Sequence, residues 1–525
     1  VREHYLRDDL PSGTPLDPAC PAEAVVLAAD APRYLVVDTN VALHQPDVLE
    51  HAAVTDIVLC STVLDEARHR DAGAASRLRA LAALPAKRVA VFANEHHAAA
   101  HVTPVTGESP NDRNDRAVRK VATFYAALVA AAAAAAPPGT PFPVVTLVTD
   151  DRACAELATA DGVATLTTAA LAAALARAAP GLADLVAARA PDAAPSSRAA
   201  KRARVYDDHR PMSGVAAGLK TGSLLQGVLR ASRFARDEAW VKPASGGDDI
   251  LIKGRAAINR AFDGDVVAVE LLPPSSWTPP SARLPAREAN KGAGDENADA
   301  DDASPAGADA GVALALDADD AGPPADAASA PGAPPPPCAK VVAIVRRSWR
   351  ARGYAGALLP PRAGERPPAD GAPVAALFAP TDRALPLVRV VTRQAATLAG
   401  QRIVVAVDGW DAASAHPAGH YVRSLGAAGD KAAETAALLL EHDVATAPFS
   451  DAVLACVPRL PWTVTDADRA SPGREDWTRV AVLSVDPPGC TDIDDALHVR
   501  PLRPDEGADE DGFVHELGVH IADVG

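Results

Sequence analysis

Between Tyr34 and Ala160 short apolar runs alternate with helical stretches, and this alternation narrows the fold more than any other feature of the chain. The run 34–37 ends on Asp38 and enters an Asn-containing turn; further strands are predicted at 57–60, 89–92 and 144–148. Helices are predicted at 61–70, 74–84, 114–136 and 152–160. Strand and helix in alternation give a mostly parallel sheet covered on both faces, a three-layer α/β domain. Sheets of this kind gather ligands at the carboxyl ends of their strands. Acids stand at those places: Asp38 after the first strand, Glu66 one turn into a helix, Asp112 and Asp115 at a helix start, Asp150 and Asp151 after a late strand. A single acid at a strand end is ordinarily a helix N-cap, whereas four in register predict a metal-binding crevice. Asp112 and Asp150 compete with Asp115 and Asp151 for two of the four positions, or cap helices instead.

A second acid-rich stretch lies near the other end. Asp486, Asp492, Asp494 and Asp495 fall within ten positions, separated by the helix-breaking Pro487-Pro488-Gly489. Like charges so close repel, and hard divalent cations remove that repulsion. The preceding 480–485 run predicts a buried strand that delivers the loop.

From Leu219 the pattern changes to short strands with turn signals, at 222–229, 239–241, 250–252 and 266–271, which predict a small closed β-barrel. Runs at 340–350, 388–393 and 402–407 predict a second. This second set resembles a cold-shock-type barrel, a kind that holds single strands by basic grooves and base stacking, and the resemblance implies Arg346, Arg347 and Trp349 as candidates for RNA contact, with a core or lid role equally open to Trp349. Between the barrels, residues 278–338 are Pro, Ala, Gly and Asp with few large apolar side chains, a composition that predicts a disordered insertion. Residues 190–204 read as an exposed linker in which Lys201, Arg202 and Arg204 touch phosphate, direct import, or are simply solvated.

A net charge of −17 argues at first sight against a nucleic-acid partner, but the deficit is local. No Lys or Arg occurs between Lys291 and Lys340, while ten acidic residues fall between Asp295 and Asp326. Charge therefore neither supports nor excludes RNA binding, which needs a basic patch rather than a basic total. Six scattered cysteines form no Cys-x-x-Cys pair, so neither a disulfide framework nor a zinc-finger spacing is expected. The apolar run 123–136 falls short of the ~20 residues that cross a bilayer, and the opening residues lack the apolar core of a signal peptide. A soluble intracellular protein with no membrane partner is expected.

These motifs carry resemblances. Val-Val-Asp-Thr-Asn-Val (36–41), Leu-Asp-Glu-Ala-Arg (64–68), Asn-Asp-Arg-Asn-Asp-Arg-Ala-Val-Arg (111–119) and Val-Thr-Asp-Asp-Arg (148–152) resemble a PIN-domain nuclease. That resemblance implies a metal-binding, catalytic quartet of Asp38, Glu66, Asp115 and Asp151, using Mn²⁺ or Mg²⁺ to cut RNA internally. Asp-Pro-Pro-Gly-Cys-Thr-Asp-Ile-Asp-Asp-Ala-Leu-His (486–498), followed by Val-His-Ile-Ala-Asp-Val (519–524), is similar to the start of the ribonuclease II/R catalytic domain. By position, Asp486, Asp492, Asp494 and Asp495 would hold Mg²⁺, and Asp494 would be catalytic, in a family that degrades single-stranded RNA from its 3′ end. The two signatures together resemble the family of catalytic subunits of eukaryotic RNA exosomes. In that family the opening segment bears three cysteines that help docking on the exosome barrel; here the positions read Ser12, Asp17 and Cys20, with His4 a poor substitute ligand, so an unmetallated segment is expected. Arg-Ala-Phe-Asp-Gly-Asp (260–265) is similar to the family's first cold-shock barrel.

The implied organisation is a docking segment (1–30), PIN domain (31–187), linker (188–212), first barrel (213–277), acidic spacer (278–338), second barrel (339–430) and an incomplete ribonuclease II domain (431–525). Its implied partners are single-stranded RNA and exosome barrel subunits, in nucleus, nucleolus and cytoplasm. Because the catalytic body stops at Gly525, exonuclease activity is not expected of the chain as given. A non-catalytic RNA-binding or docking protein is the alternative, and a bacterial-type exonuclease with an added domain a third reading.

Overall fold

The computed structural model describes residues 5–188, 204–281, 334–349, 353–360, 371–446, 448–449, 451–459, 461–502 and 514–521. Lys201, Arg202, most of the acidic spacer, His4, and Ala522 to Val524 lie outside them. The chain divides into two units, residues 1–445 and 446–525.

In the first unit β1 (Arg33–Val37), β2 (Ile57–Cys60), β3 (Val89–Phe92), β4 (Val144–Val148) and β5 (Ala164–Leu166) form a parallel sheet in the order β3-β2-β1-β4-β5. β2 and all but one residue of β1 are inaccessible or nearly so, as strands covered on both faces must be. The covering helices are α1 (Thr39–His44), α2 (Pro46–Glu50), α3 (Ser61–Arg70), α4 (Ala72–Ala82), α5 (Pro110–Ala135), α6 (Arg152–Ala160) and α7 (Thr168–Ala174). The chain moves outward through β2 and β3, then returns to the other side of β1 to lay down β4. The switch point is therefore the gap between β1 and β4.

α5 starts at Pro110, four residues before the expected 114, because Ser109 caps it by accepting from the Asp112 N–H and proline suits the first turn. Its 26 residues are long and apolar enough to cross a membrane by length and composition, unlike the 123–136 run considered alone. Ala117, Val118, Val121, Ala122 and Tyr125 commit one face to the domain core. The N-terminal segment packs on the same domain: Arg7 pairs with His97 as a parallel bridge, the Tyr125 hydroxyl donates to the Ser12 carbonyl, and Thr14 Oγ1 meets Tyr34 Oη at 2.9 Å. Ser12 and Asp17 are buried, Asp17 Oδ1 accepts from the Ala19 N–H, and Cys20 is half-buried.

The first barrel sheet runs β10-β9-β6-β7-β8, from β6 (Leu225–Ala231), β7 (Glu238–Pro243), β8 (Ile250–Lys253), β9 (Val266–Leu271) and β10 (Ala339–Arg346). This corrects the sequence reading, which gave the 340–350 run to the second barrel. β10 pairs along β9 instead, and its leading edge meets β8 through a Leu251–Cys338 bridge that brings the two sheet edges together. The long spacer is thus an insertion inside one barrel. Both its ends are anchored there: Ser281 donates to the buried Glu238 and the Thr278 N–H approaches Cys338 Sγ at 3.4 Å. Burial of Cys338, Ala339, Val341 and Val342 against that core explains the choice of sheet.

The second barrel is closed, in the order β11-β12-β13-β15-β14, from β11 (Tyr354–Leu358), β12 (Val374–Pro380), β13 (Val388–Thr392), β14 (Gln401–Gly409) and β15 (Ala418–Ala427). A helix, Lys431–Glu441, packs on it through Ala437 and Leu440.

The second unit is built on the antiparallel β16 (Val482–Leu483), β17 (Asp495–Pro501) and β18 (His515–Ile521). The buried strand expected over 480–485 shrinks to two exposed residues, since among the described residues no second layer covers this sheet: Val485 is 82% and Ile521 78% exposed.

Candidate active site

The quartet suggested by the sequence comes from elements on both sides of the switch point. Asp38 leaves β1 with its backbone N–H on the Val148 carbonyl of β4, and its side chain is completely buried. Oδ1 accepts from the Thr39 N–H at 2.7 Å as the N-cap of α1; Oδ2 accepts from Thr149 Oγ1 at 2.7 Å. Asp151 begins α6 and accepts from the Cys154 N–H at 3.0 Å. Glu66, in the second turn of α3, accepts from Thr39 Oγ1 and Asn114 Nδ2, both at 3.0 Å, and faces the Arg70 guanidinium at 2.9 Å. Asp115, from α5, accepts from Asn111 Nδ2 at 3.4 Å.

Asp38 and Asp115 each feel the charge of the other acids. Burial pushes the Asp115 carboxyl up to about 6, and Asp38, Asp151, Glu66 and Asp112 add repulsion. Asp38 is likewise raised, by burial first and then by Asp151 and Glu66, against the hydrogen bonds from Thr149 and Thr39 that favour its charge. The buried thiols Cys60 and Cys154 are pushed up to about 12, mainly by burial, which keeps them out of nucleophilic chemistry at neutral pH. Among the described residues no three His, Cys, Asp or Glu side chains stand close enough to form a finished ligand sphere. The donor set nevertheless suits a hard divalent ion: carboxylate oxygens only, with the charge on Glu66 meanwhile offset by Arg70.

The competing acids separate. Asp150 turns away to the next helix, accepting from the Thr168 N–H and Oγ1 at 2.8 Å each. Asp112 is exposed in the first turn of α5, where Ser109 rather than Asp112 supplies the cap.

At the barrels, Arg347 donates to the Arg260 carbonyl at 2.7 Å and to the buried Asp265 at 3.0 Å, and it stacks over Trp349 at 4.6 Å. Trp349 lies edge-on to Phe262 at 5.5 Å. These two candidates form the joint between the barrels, and of the three only Arg346 is exposed. The sequence reading passed over Arg233-Phe234-Ala235-Arg236 between β6 and β7, where the Phe234 ring is 75% exposed; an aromatic between basic residues in a barrel loop was its signal.

In the second unit, Pro487 to Cys490 form a tight turn closed by the Cys490 N–H on the Pro487 carbonyl, with Gly489 at φ 87°, a conformation that favours glycine. Asp492, Asp494 and Asp495 are exposed and Asp486 half-buried. Next to them in sequence, the buried His498 meets His520 at 2.7 Å and Glu516 at 3.1 Å, with the Trp477 ring tilted against its own at 4.5 Å.

Comparison with known proteins agrees with this arrangement. A PIN domain model matches residues 35–169, the Rrp44-like cold shock domain residues 205–348, and the Dis3-like cold-shock domain 2 residues 375–443. The second of these includes β10, in accord with the sheet order. Across 530 aligned residues the chain is 41% identical to exosome complex exonuclease RRP44 homolog A of Arabidopsis thaliana, covering 100% of this chain and 53% of that protein. The chain belongs to the RRP44/Dis3 family. Mouse exosome complex exonuclease RRP44 is 38% identical, again over 100% of this chain and 51% of its own length. Among solved structures, the Trypanosoma brucei RRP44 PIN domain matches with 30% identity and a TM-score of 0.30, over 34% of this chain and 99% of that one. This RRP44/Dis3 chain thus spans about half the length of the curated relatives it matches.

Proposed function

We propose that the chain is an RNA nuclease whose PIN domain cuts single-stranded RNA internally, with Asp38, Glu66, Asp115 and Asp151 holding Mn²⁺ or Mg²⁺. The observation that carries this reading is the convergence of four mutually repelling carboxylates at the switch point of a parallel sheet. When bound, such an ion lowers the pKa of an attacking water and neutralises the scissile phosphate. The protein's own part is orientation: Thr39 and Thr149 fix both oxygens of Asp38, the Cys154 N–H fixes Asp151, and Asn114 fixes Glu66. Asp115, the least tethered, is free to close the set.

The aspartate loop, with Asp486, Asp492, Asp494 and Asp495 around Mg²⁺ and Asp494 as the catalytic carboxylate, is proposed to serve 3′-to-5′ hydrolysis in a protein of the relatives' full length. Association with exosome barrel subunits, and work in nucleus and cytoplasm, follow by the same kinship. A binding-only reading has one observation in its favour, since Asp38 and Asp151 also cap helices.

Circular single-stranded RNA separates the two readings, because a circle has no 3′ end. With Mn²⁺ the parent chain is expected to linearise it and the Asp38→Asn/Asp151→Asn double variant to lose at least a hundredfold in rate. A parent that binds the circle without cutting it sinks the nuclease reading.

A further inference from the structure

One turn beyond Asp115 along α5, a cavity of about 480 Å³ opens between α5, the segment after β3 and the end of α6. Its walls carry His101, Thr103, Arg116, Arg119, Lys120 and Asp161. In a chain of net charge −17 such a concentration of cations is local and specific. Arg116 is already committed: it makes a two-pronged pair with Glu108 at 2.8 and 2.7 Å and donates to the Thr103 carbonyl, which frames the wall. The other two cations are held less closely: Arg119 has one long ion pair. Asp161 stands 3.6 Å from Arg119 Nε, beyond hydrogen-bonding distance, and that nitrogen is buried with no acceptor. Lys120 is exposed and has no ion pair among the described residues. A guanidinium and an ammonium lining one pocket, with a single distant carboxylate beside them, suit a tetrahedral oxyanion, which the guanidinium fork grips at two oxygens.

The position decides which oxyanion. Arg119 follows Asp115 by one helical turn, ~6 Å along the same face. Asp38, Asp115, Asp151 and Arg119 also share a neighbour, since the buried thiol of Cys154 lies within electrostatic reach of all four. We infer that Arg119 and Lys120 bind a backbone phosphate of the RNA strand beside the one being cut, and so hold the strand in register with the carboxylates. This rests on the nuclease reading above. The carboxylates alone repel RNA, and a neighbouring phosphate clamp offsets that repulsion without touching the reacting atoms.

The test uses the whole chain and circular RNA. In Arg119→Gln/Lys120→Gln the KM for Mn²⁺-dependent cleavage is expected to rise about tenfold with kcat within twofold. In the Asp38→Asn/Asp151→Asn background, adding the same two changes should flatten the slope of log affinity against log salt by ~0.7, the value for one phosphate charge left unneutralised. Arg119→Lys should recover the salt slope but not the whole KM, since it keeps charge and loses the fork. Asp161→Asn, which removes only the long ion pair, should leave KM unchanged or lower it, and unfolding temperatures report any loss of fold. A double charge variant with the parent's KM and salt slope overturns the clamp while leaving the nuclease reading intact. If the parent binds the circle uncut and the salt slope still depends on Arg119 and Lys120, the nuclease reading fails and the phosphate site stands. If inorganic phosphate stabilises the parent but not the double variant, and the RNA slope is unmoved, the pocket serves a free anion and the assignment to RNA falls.

Discussion

Asp115 is where the cost of gathering carboxylates is concentrated. Its carboxyl is raised to about 6, first by burial and then by Asp38, Asp151, Glu66 and Asp112. A carboxylate raised above its unfolded value destabilises the fold once it ionises, so the penalty is absent at low pH and grows as pH rises through about 6. Asp115→Asn is therefore expected to raise the unfolding temperature at pH 7.5 without metal by ~2–4 °C, on the order of 1 kcal/mol after solvent screening. Added Mn²⁺ should stabilise the parent and have much less effect on the variant. Equal metal-induced shifts in both would remove Asp115 from the ligand set. The position of Asp38 at a strand end was legible in the sequence, because the acid follows β1 at once, whereas the cap of α6 falls to Asp151 and not to Asp150, to which the sequence reading had offered a cap. That Asp150 leaves for Thr168 was not legible, since two adjacent acids differ only in which way the backbone turns them.

At the scale of elements, the barrels depend on close backbone approach. Gly227 in β6 lies where an added Cβ would meet the Lys242 carbonyl oxygen at 2.2 Å and Val241 Cγ1 at 2.7 Å. Backbone cannot yield as a side chain does, so Gly227→Ala is expected to destabilise the first barrel by ~2–4 kcal/mol, read as a lowered denaturation midpoint with the PIN sheet's exchange protection kept. The sequence located β2, β3, β4 and β9 to the residue because their apolar runs are bounded by turns or charges. It misassigned β10 because sheet membership is set by pairing with β9 across a long insertion, and no local pattern encodes a partner so distant. Likewise 480–485 has the composition of a buried strand, but burial needs a covering layer, and none is present among the described residues.

At the scale of the molecule, the PIN domain and the second barrel are joined by two buried polar clamps. His420 of β15 lies between Asp408 at 2.6 Å and Asp47 of α2 at 3.2 Å, and Asp47 is also paired with Arg77, which holds Glu50. Asp184 accepts from Thr392 Oγ1, from the Arg393 N–H and guanidinium, and from Gln394 Nε2. Against the opposing effect of burial, the two flanking carboxylates raise His420 from 6.5 to about 9. Its contribution is thus complete below pH 6.5 and is lost as pH rises through about 9, a change of about 3 kcal/mol. The parent should unfold at a lower temperature, and exchange faster in β14 and β15, at pH 9.5 than at pH 6.5. His420→Gln, which leaves two acids facing each other, should be less stable at pH 6.5 and nearly flat between the two. A parent profile as flat as the variant's would rule out the imidazolium as the joint.

The architecture, a PIN-type α/β domain followed by two small barrels, was already written in the sequence, because hydrophobic period and turn residues are local and each element carries its own signal. So were the strand end and helix starts at which acids stand, though not which acid of each close pair turns toward the sheet's carboxyl edge. Folding in three dimensions settled the rest: which strand closes which barrel, that Arg347 and Trp349 are joint rather than open surface, that Arg119 of α5 meets Asp161 at the end of α6, and that His420 bridges two domains. Each of these depends on residues brought together from far apart in the chain, and such juxtapositions follow from packing and charge pairing in space, which no period or motif in the sequence records.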